Sequence, residues 1–444
     1  MAPEYPENRC KRCGRCMTVC PVYQVTGHEA DVARGRLALL EKMDSATLRR
    51  SPRFSEILTR CLLCGACTQA CANSVPAAQI IQAGRQGLHA SHRRWLENPL
   101  ARTIRKGDLS PRIVSKGGSL LQALFCKRIP DSSGLHLRFP LSFFTKRTVV
   151  PPLARRPFIQ TFQARPNETK VSTRVAVFVG CGANYLYPEA AWALVEILHR
   201  IGVSIVVPRD QGCCGLPAFV SGDTETARCL AKKNIEAFSS SDVDTVLSLC
   251  ASCGSHWTAM PRLFEPGSTW RQAADALAEK HQDAMAFLAR EERALRSRLY
   301  ENDRDAASPE NKPIRVVYHE PCHRRIGQGL GVEAPEALLR RIPGVTLIHS
   351  AHPEQCCGHG GTFNLTHFDL SMKILDRRME DLLARQPNAI VTGCTGCLLQ
   401  LTEGVSRRGL AGSVLVCHPL VLVADFLEEL VPSNLPRADR KSAR

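Results

Sequence analysis

Cys10-Lys11-Arg12-Cys13-Gly14-Arg15-Cys16-Met17-Thr18-Val19-Cys20-Pro21 is the stretch on which the fold turns. Three cysteines at two-residue gaps, a fourth after three more residues and then proline is the spacing that ligates two cubane iron–sulfur clusters. The run recurs as Cys61, Cys64, Cys67 and Cys71, with Ala72 in place of proline. Three thiolates so spaced wrap one corner of a cube, and the fourth lies out of reach and serves the other cluster. The pattern therefore assigns Cys10, Cys13, Cys16 and Cys71 to one [4Fe–4S] cluster, and Cys61, Cys64, Cys67 and Cys20 to a second. Gly14 and Gly65 suit tight turns around bulky groups. Structural zinc also uses Cys-x-x-Cys pairs, but it gives no reason for a third and fourth cysteine at this spacing, twice.

Working outward, the gap from Cys20 to Cys61 is too long for a compact β-rich ferredoxin. Helical patterns fill it, from Arg34 to Lys42, and follow the second run from Pro76 to Ala83, where proline suits a helix start. Residues 1–90 are thus expected to form a helical ferredoxin domain, of the type seen in succinate dehydrogenase and fumarate reductase subunits.

Beyond residue 170 the chain repeats itself. Val175–Val179 and Ile314–Tyr318 are apolar runs of strand type, each leading to a cysteine, Cys181 and Cys322. A helical stretch follows each. Then come second strands at Val203–Val207 and Val345–Ile348, a Cys-Cys-Gly at Cys213-Cys214-Gly215 and Cys356-Cys357-Gly358, and a further helix. Third strands at Thr245–Leu249 and Ala389–Thr392 close on Cys250-x-x-Cys253 and Cys394-x-x-Cys397. Strands alternating with helices predict α/β units. The expected class is α+β: an α-helical two-cluster domain (1–90), a basic linker (91–170), a first Cys-Cys-Gly module (171–257), a charged helical connection (258–312), a second module (313–431) and a basic tail (432–444).

Twenty-one cysteines in 444 residues fit metal ligation in a reducing compartment better than a disulfide scaffold, which belongs to short secreted chains. The first seven residues lack a basic segment followed by an apolar one, so no secretory signal is expected. No apolar run is long enough to span a bilayer. The expected location is the cytoplasm, with peripheral contact at the inner face of the cell membrane. Of the net charge of +16, most lies in residues 91–170, which hold 16 Lys and Arg against 4 Asp and Glu. That block expects an anionic partner: an acidic protein face, or anionic lipid met by Phe139-Pro-Leu-Ser-Phe-Phe-Thr-Lys-Arg147. No nucleic-acid motif accompanies it, so nucleic acid is not expected.

The order of five cysteines in each module, Cys181, Cys213, Cys214, Cys250, Cys253 and Cys322, Cys356, Cys357, Cys394, Cys397, resembles the signature of the heterodisulfide reductase catalytic subunit. That resemblance implies one or two non-cubane [4Fe–4S] clusters; the same pockets could hold zinc through four thiolates. The whole arrangement is similar to the glycolate oxidase iron–sulfur subunit family, with lactate-utilisation and anaerobic glycerol-3-phosphate dehydrogenase subunits as relatives. Cys20-Pro-x-Tyr23, Gly27-x-Glu29-x-Asp31 and Arg34-Gly35-Arg36 carry the closest likeness. It implies a subunit that relays electrons from an FAD-containing dehydrogenase, which oxidises a 2-hydroxy acid such as glycolate or lactate, toward quinone or another carrier. The chain would not act alone, and no Gly-rich dinucleotide fingerprint contradicts this: Gly358-His-Gly-Gly361 sits inside a cysteine motif. The alternatives are a disulfide-reducing catalytic subunit, the glycerol-3-phosphate system, and a metal-bound scaffold or redox sensor.

His319, His323, His359 and His418 flank the module cysteines and read as hydrogen-bonding neighbours more readily than as ligands. Lys11, Arg12, Arg15 and Arg60 would raise a nearby cluster's potential by stabilising its reduced form, or lie solvated at the surface. Cys126, Cys229 and Cys417 fall outside every motif, and Cys229 is expected to pack as a small apolar residue in a helix.

Overall fold

The computed structural model describes residues 10–44, 51–92, 126–128, 135–137, 149, 153–163, 173–291 and 313–430. The stretch Phe139–Arg147 lies outside them. Within residues 91–170, β1 (Cys126–Arg128) and β2 (Leu135–Leu137) pair as an antiparallel hairpin.

The N-terminal part is helical, with Arg15–Val19, Tyr23–Thr26, Ala33–Asp44, Pro52–Thr59, Ala66–Gln69 and Ala77–His92. Ser51 caps its helix by accepting from the Phe54 amide, and Pro52 occupies the first turn, where its missing N–H costs nothing. Leu40, Phe54, Leu58, Ile81 and Leu88 form its small core.

Each repeat builds a four-stranded parallel sheet. In the first, β3 (Arg174–Phe178), β4 (Ser204–Val206), β5 (Thr245–Ser248) and β6 (His281–Asp283) lie in the order β4-β3-β5-β6. In the second, β7 (Ile314–Tyr318), β8 (Val345–Ile348), β9 (Ala389–Val391) and β10 (Leu415–Cys417) lie in the order β8-β7-β9-β10. The two orders are the same. The fourth strand of each copy was not expected. β6 falls in the charged stretch 258–312 read as a helical connection, and it pairs with β5 through Val246–His281 and Ser248–Asp283. Its three residues, His-Gln-Asp, carry no apolar pattern, which is why the eye passes over them.

The modules pack as an internal two-fold. Helix Pro188–Arg200 of the first lies against Pro419–Leu430 of the second, and Ala284–Arg290 of the first lies against Glu333–Arg340 of the second. These are the same two helix positions exchanged, as at a symmetric dimer interface. Two apolar clusters run through both modules, one joining Val175, Leu194 and Leu247 to Val316, Leu339 and Val391. The other joins Ala176, Phe178 and Val246 to Val317, Leu375 and Ile390. Cys229 is exposed, contrary to expectation. Its helix, Thr224–Ser239, buries Ala227, Ala231, Ile235 and Phe238, and residue 229 falls on the opposite side of that stripe.

Among the described residues a charged pair crosses the internal interface: Arg324 Nη1 lies 3.3 Å from Asp283 Oδ1, both side chains 1% exposed. Asp283→Ala strands a buried guanidinium and should lower stability by about 3–5 kcal/mol, read as a reduced denaturant midpoint with the circular-dichroism baseline unchanged.

Candidate iron–sulfur sites and the family they define

Gly14 (φ 87) and Gly65 (φ 80) adopt the left-handed conformation at the starts of the short helices that lie within each cysteine run. An L-residue is strained there, so glycine is what lets the loop turn. A pocket is lined by Cys20, Cys61, Cys64 and Cys67, with Val22, Leu62 and Ile81 as its apolar wall. Cys10, Cys16, Cys67 and Cys71 gather around Ala33, Leu37 and Val75. Cys13 is exposed at the outer edge. Burial, with Cys61, Cys20 and Cys16 adding to it, pushes the Cys67 thiol up to about 12. Such a thiol becomes a thiolate only beside a positive ion.

The stretch Gly27–Arg36 acts as a clasp on these loops. Arg34 grips both carboxylate oxygens of Glu29, at 2.5 and 2.8 Å, and donates from Nη1 to the carbonyl of Arg12 at 3.1 Å, fixing the turn between Cys10 and Cys13. Arg36 is enclosed, donating to the carbonyls of Ile57 and Asp31 and lying 3.6 Å from the Asp31 carboxylate. A Cβ on Gly35 would collide with the Glu29 carbonyl oxygen, so glycine is needed between the two arginines.

Arg85 completes the clasp. It donates to the carbonyls of Leu58, Thr59 and Cys61, and its Nη1 reaches the carbonyl of Val220 in the first module at 2.8 Å. Burial lowers its pKa to about 10, with the Cys61 thiol opposing that shift. Of the cations singled out from sequence, Lys11, Arg12 and Arg15 are exposed, and Arg60 is paired with Asp31 and Glu56. Among the described residues of the N-terminal part the buried positive charges are Arg36 and Arg85. Arg85, an isolated arginine in a largely apolar helix, offers no motif that would have revealed it.

In the modules, every cysteine of the signature follows a strand at its carboxyl end. Cys181, Cys213-Cys214 and Cys250 come after β3, β4 and β5; Cys322, Cys356-Cys357 and Cys394 come after β7, β8 and β9. In a parallel sheet these loops converge at one edge, beside the point where the strand order reverses. The glycine of Cys-Cys-Gly has positive φ in both copies (95° and 86°). A side chain there would press on the Ala227 carbonyl at 3.3 Å, or on the Ser371 carbonyl at 2.9 Å. Cys213 receives hydrogen bonds from Cys181 and Cys214, and Cys356 from Cys322 and Cys357, which holds both well below the usual thiol range. Cys357 lies 3.3 Å from Cys397, sulfur to sulfur.

The sites also meet one another. Ser252 Oγ lies 3.1 Å from Cys250 Sγ and 3.3 Å from Cys394 Sγ, bridging the equivalent cysteines of the two modules. The Thr395 amide donates to Cys250 Sγ at 3.4 Å. On the other side, Cys64 acts electrostatically on Cys322 and Cys356, and the three line one pocket between the N-terminal part and the second module.

The four flanking histidines differ. His418 donates from Nε2 to the Leu249 carbonyl at 3.0 Å and accepts at Nδ1 from Leu420, so it ties the modules together and has no lone pair left for a metal. His359 packs on Gly396, His323 neighbours Cys250 and Cys356, and His319 stands beside Cys357 and Cys397. His256 was missed: it is enclosed one turn beyond Cys253, beside Cys213, where nothing but helical spacing could have flagged it. Cys417 is buried in the shared apolar core.

The cysteines of both runs and both modules are free thiols. Thiols gathered in fours and fives, with N–H donors and buried guanidinium groups beside them, are a donor set that fits iron–sulfur clusters. The seam supplies a direct check. A Cβ on Gly65 would sit 2.7 Å from Ile326 of the second module, so Gly65→Ala adds crowding to left-handed strain of about 1–2 kcal/mol. Its expected effect is a lower thermal midpoint and faster iron loss to a chelator than in the parent.

Residues 7–75 match the family described as 4Fe-4S dicluster domain, and residues 175–257 and 316–402 match the Cysteine-rich domain family. A Bacillus subtilis (strain 168) protein named as a probable glycolate oxidase iron-sulfur subunit is 30% identical over 428 residues, covering 95% of this chain and 93% of the relative. The Escherichia coli (strain K12) glycolate oxidase iron-sulfur subunit is 27% identical over 427 residues, covering 95% and 94%. Lactate utilization protein A of an Exiguobacterium species is 30% identical over 258 residues, 57% of this chain and 97% of that protein. With the clasp, the paired cysteine runs and the doubled Cys-Cys-Gly modules all in place along one chain, this protein belongs to the glycolate oxidase iron–sulfur subunit family and is an iron–sulfur subunit of an oxidoreductase.

Proposed function

We propose that this chain draws electrons from an FAD-containing subunit that oxidises a 2-hydroxy acid, glycolate or lactate, and delivers them toward quinone. The carrying observation is the unbroken series of thiol sites. Cys64 abuts Cys322 and Cys356, and Cys394 meets Cys250 through Ser252, while Cys13 and Cys181 reach the surface. Cys10, Cys13, Cys16 and Cys71 would hold one cubane, and Cys20, Cys61, Cys64 and Cys67 a second. The five cysteines of each module would hold a further cluster. A bound [4Fe–4S] cluster supplies one-electron exchange at a potential set by charge, hydrogen bonds and exposure.

The protein's own residues prepare those sites. Arg36 and Arg85 place positive charge beside the Cys61 loop without admitting water, which favours a more negative, reduced centre. Ser252 and the Thr395 amide put hydrogen-bond donors against the thiols at the module interface. Oxidation of a 2-hydroxy acid to the 2-oxo acid releases two electrons and two protons, which a flavin accepts together; the chain's part is to take the electrons singly.

Anaerobically purified protein should be brown, and glycolate or lactate should bleach its visible absorption only with the flavoprotein subunit present. Bleaching by the substrate with this chain alone, or a colourless protein, contradicts the reading. Cys67→Ser should lower iron content by about four per chain, one cluster's worth, by colorimetric assay.

No helix among the described residues is long and apolar enough to cross a membrane. The basic residues 91–170 support peripheral contact with anionic lipid, where quinone resides. Flotation with anionic liposomes should occur at low salt and be lost at high salt; binding indifferent to salt contradicts this.

A further inference from the structure

We propose that His319, oriented by Arg378, donates a hydrogen bond from Nε2 to the sulfur of the cluster held by the second module, and so raises that module's reduction potential. The inference rests on the cofactor assignment for the second module made above.

Arg378 donates from Nε to His319 Nδ1 at 3.0 Å, and the two side chains are 0% and 1% exposed. A ring nitrogen that accepts a hydrogen bond carries no proton, so the neutral imidazole carries its proton on Nε2. The adjacent guanidinium opposes a second positive charge on the ring. His319 Nε2 is enclosed and has no partner among the described residues, and the same holds for Arg378 Nη2. The ring stands at the thiols: one of its nitrogens and the sulfurs of Cys357 and Cys397 lie within 4.8 Å of one another.

Such a trio could be taken for a metal-ligand set. Ligation through Nε2 would need the lone pair there and would move the proton to Nδ1, facing the Arg378 N–H donor to donor. With Arg378 fixed by Asp381 at 2.6 Å and by the carbonyl of His352 at 2.6 Å, the ring is held as a donor and not as a ligand. A buried donor with no protein acceptor then has thiolate or inorganic sulfide as its partner.

At the equivalent positions the first module has neither residue; its buried histidine, His256, stands elsewhere, beside Cys213. Three residues before Cys181 stands Phe178, where the second module has His319 before Cys322, and Phe178 packs edge-on against Trp257 at 5.0 Å. Ala227 and Ser371 face the equivalent glycines, and seven residues further on lie Asn234 and Arg378. Asn234 is neutral and bonds the backbone of Gly212 and Cys213. N–H donors and positive charge stabilise a reduced cluster, so His319 and Arg378 make the second module's centre more readily reduced than it would be without them.

The test compares the full-length, anaerobically purified protein with His319→Phe and His319→Gln, by potentiometric titration followed with electron paramagnetic resonance and by iron and sulfide counts. His319→Phe should leave the counts unchanged. It should lower the reduced-to-oxidised ratio of one centre about tenfold at fixed potential, ~59 mV for a one-electron couple, with the others unmoved. His319→Gln, which keeps an N–H, should recover part of that shift and covers the case in which Phe disturbs packing. An unchanged titration in both variants overturns the proposal. So does the loss of one cluster's iron in both, which would make His319 a ligand. About eight irons in the unmodified protein would instead remove the cofactor assignment beneath it.

Discussion

The carboxyl edge of a parallel sheet is the constraint from which the modules follow. Each strand ends there, so three loops far apart in sequence are delivered to one place, and the order β4-β3-β5-β6 opens a gap where the chain reverses direction across the sheet. Cysteines set after the first, second and third strands therefore converge without any of them leaving its own loop. The Cys-Cys-Gly turn sharpens this. A glycine with positive φ lets the chain double back against the next helix, presenting two adjacent thiols to the same pocket.

Duplication adds the second consequence. Two identical sheets packed through exchanged helix positions bring equivalent residues face to face near the axis, and Cys250 and Cys394 are equivalents. Their approach is a product of the symmetry, and Ser252 occupies the gap between them. The interface is apolar on both sides of the sheets and holds the Arg324–Asp283 pair within it. A buried pair of this kind adds little net stability, but it penalises any packing in which one charge loses the other. It thereby favours a single relative placement of the modules, and the distance between the thiol sites depends on that placement.

Much of this was legible in the sequence, because metal ligation leaves a covalent trace: cysteine spacing survives where packing varies. Both cysteine runs, both Cys-Cys-Gly loops and the six strands of Val175, Val203, Thr245, Ile314, Val345 and Ala389 could be read from spacing and apolar runs. The fourth strands could not. β6 consists of His281, Gln282 and Asp283 at a sheet edge, where partner contacts and not side-chain character make it a strand. The Arg34-Gly-Arg36 motif was visible as a pattern, but its task was not, since Glu29, Ile57 and Arg12 become its partners only once the chain has folded. Arg85 and Arg378 were illegible for the same reason, whereas His319 stood out by its place three residues before Cys322. A buried cation is identified by what surrounds it, and its sequence neighbours are helix residues like any others.

The symmetry is broken where it matters for direction. Two equal centres either side of a dyad would exchange an electron with no preference, and a third centre equidistant from both would feed either. Neither condition holds. The Cys64 loop stands against Cys322 and Cys356 of the second module, whereas Arg85 and Gln82 touch the first through the carbonyls of Val220 and Phe219, away from its cysteines. The second module alone also carries a buried cation behind its thiols, where the first has Phe178 and Asn234. A duplicated scaffold has thus kept its backbone while its two halves diverged in neighbour and in charge. That divergence orders the thiol sites as a sequence from the N-terminal domain through the second module to the first.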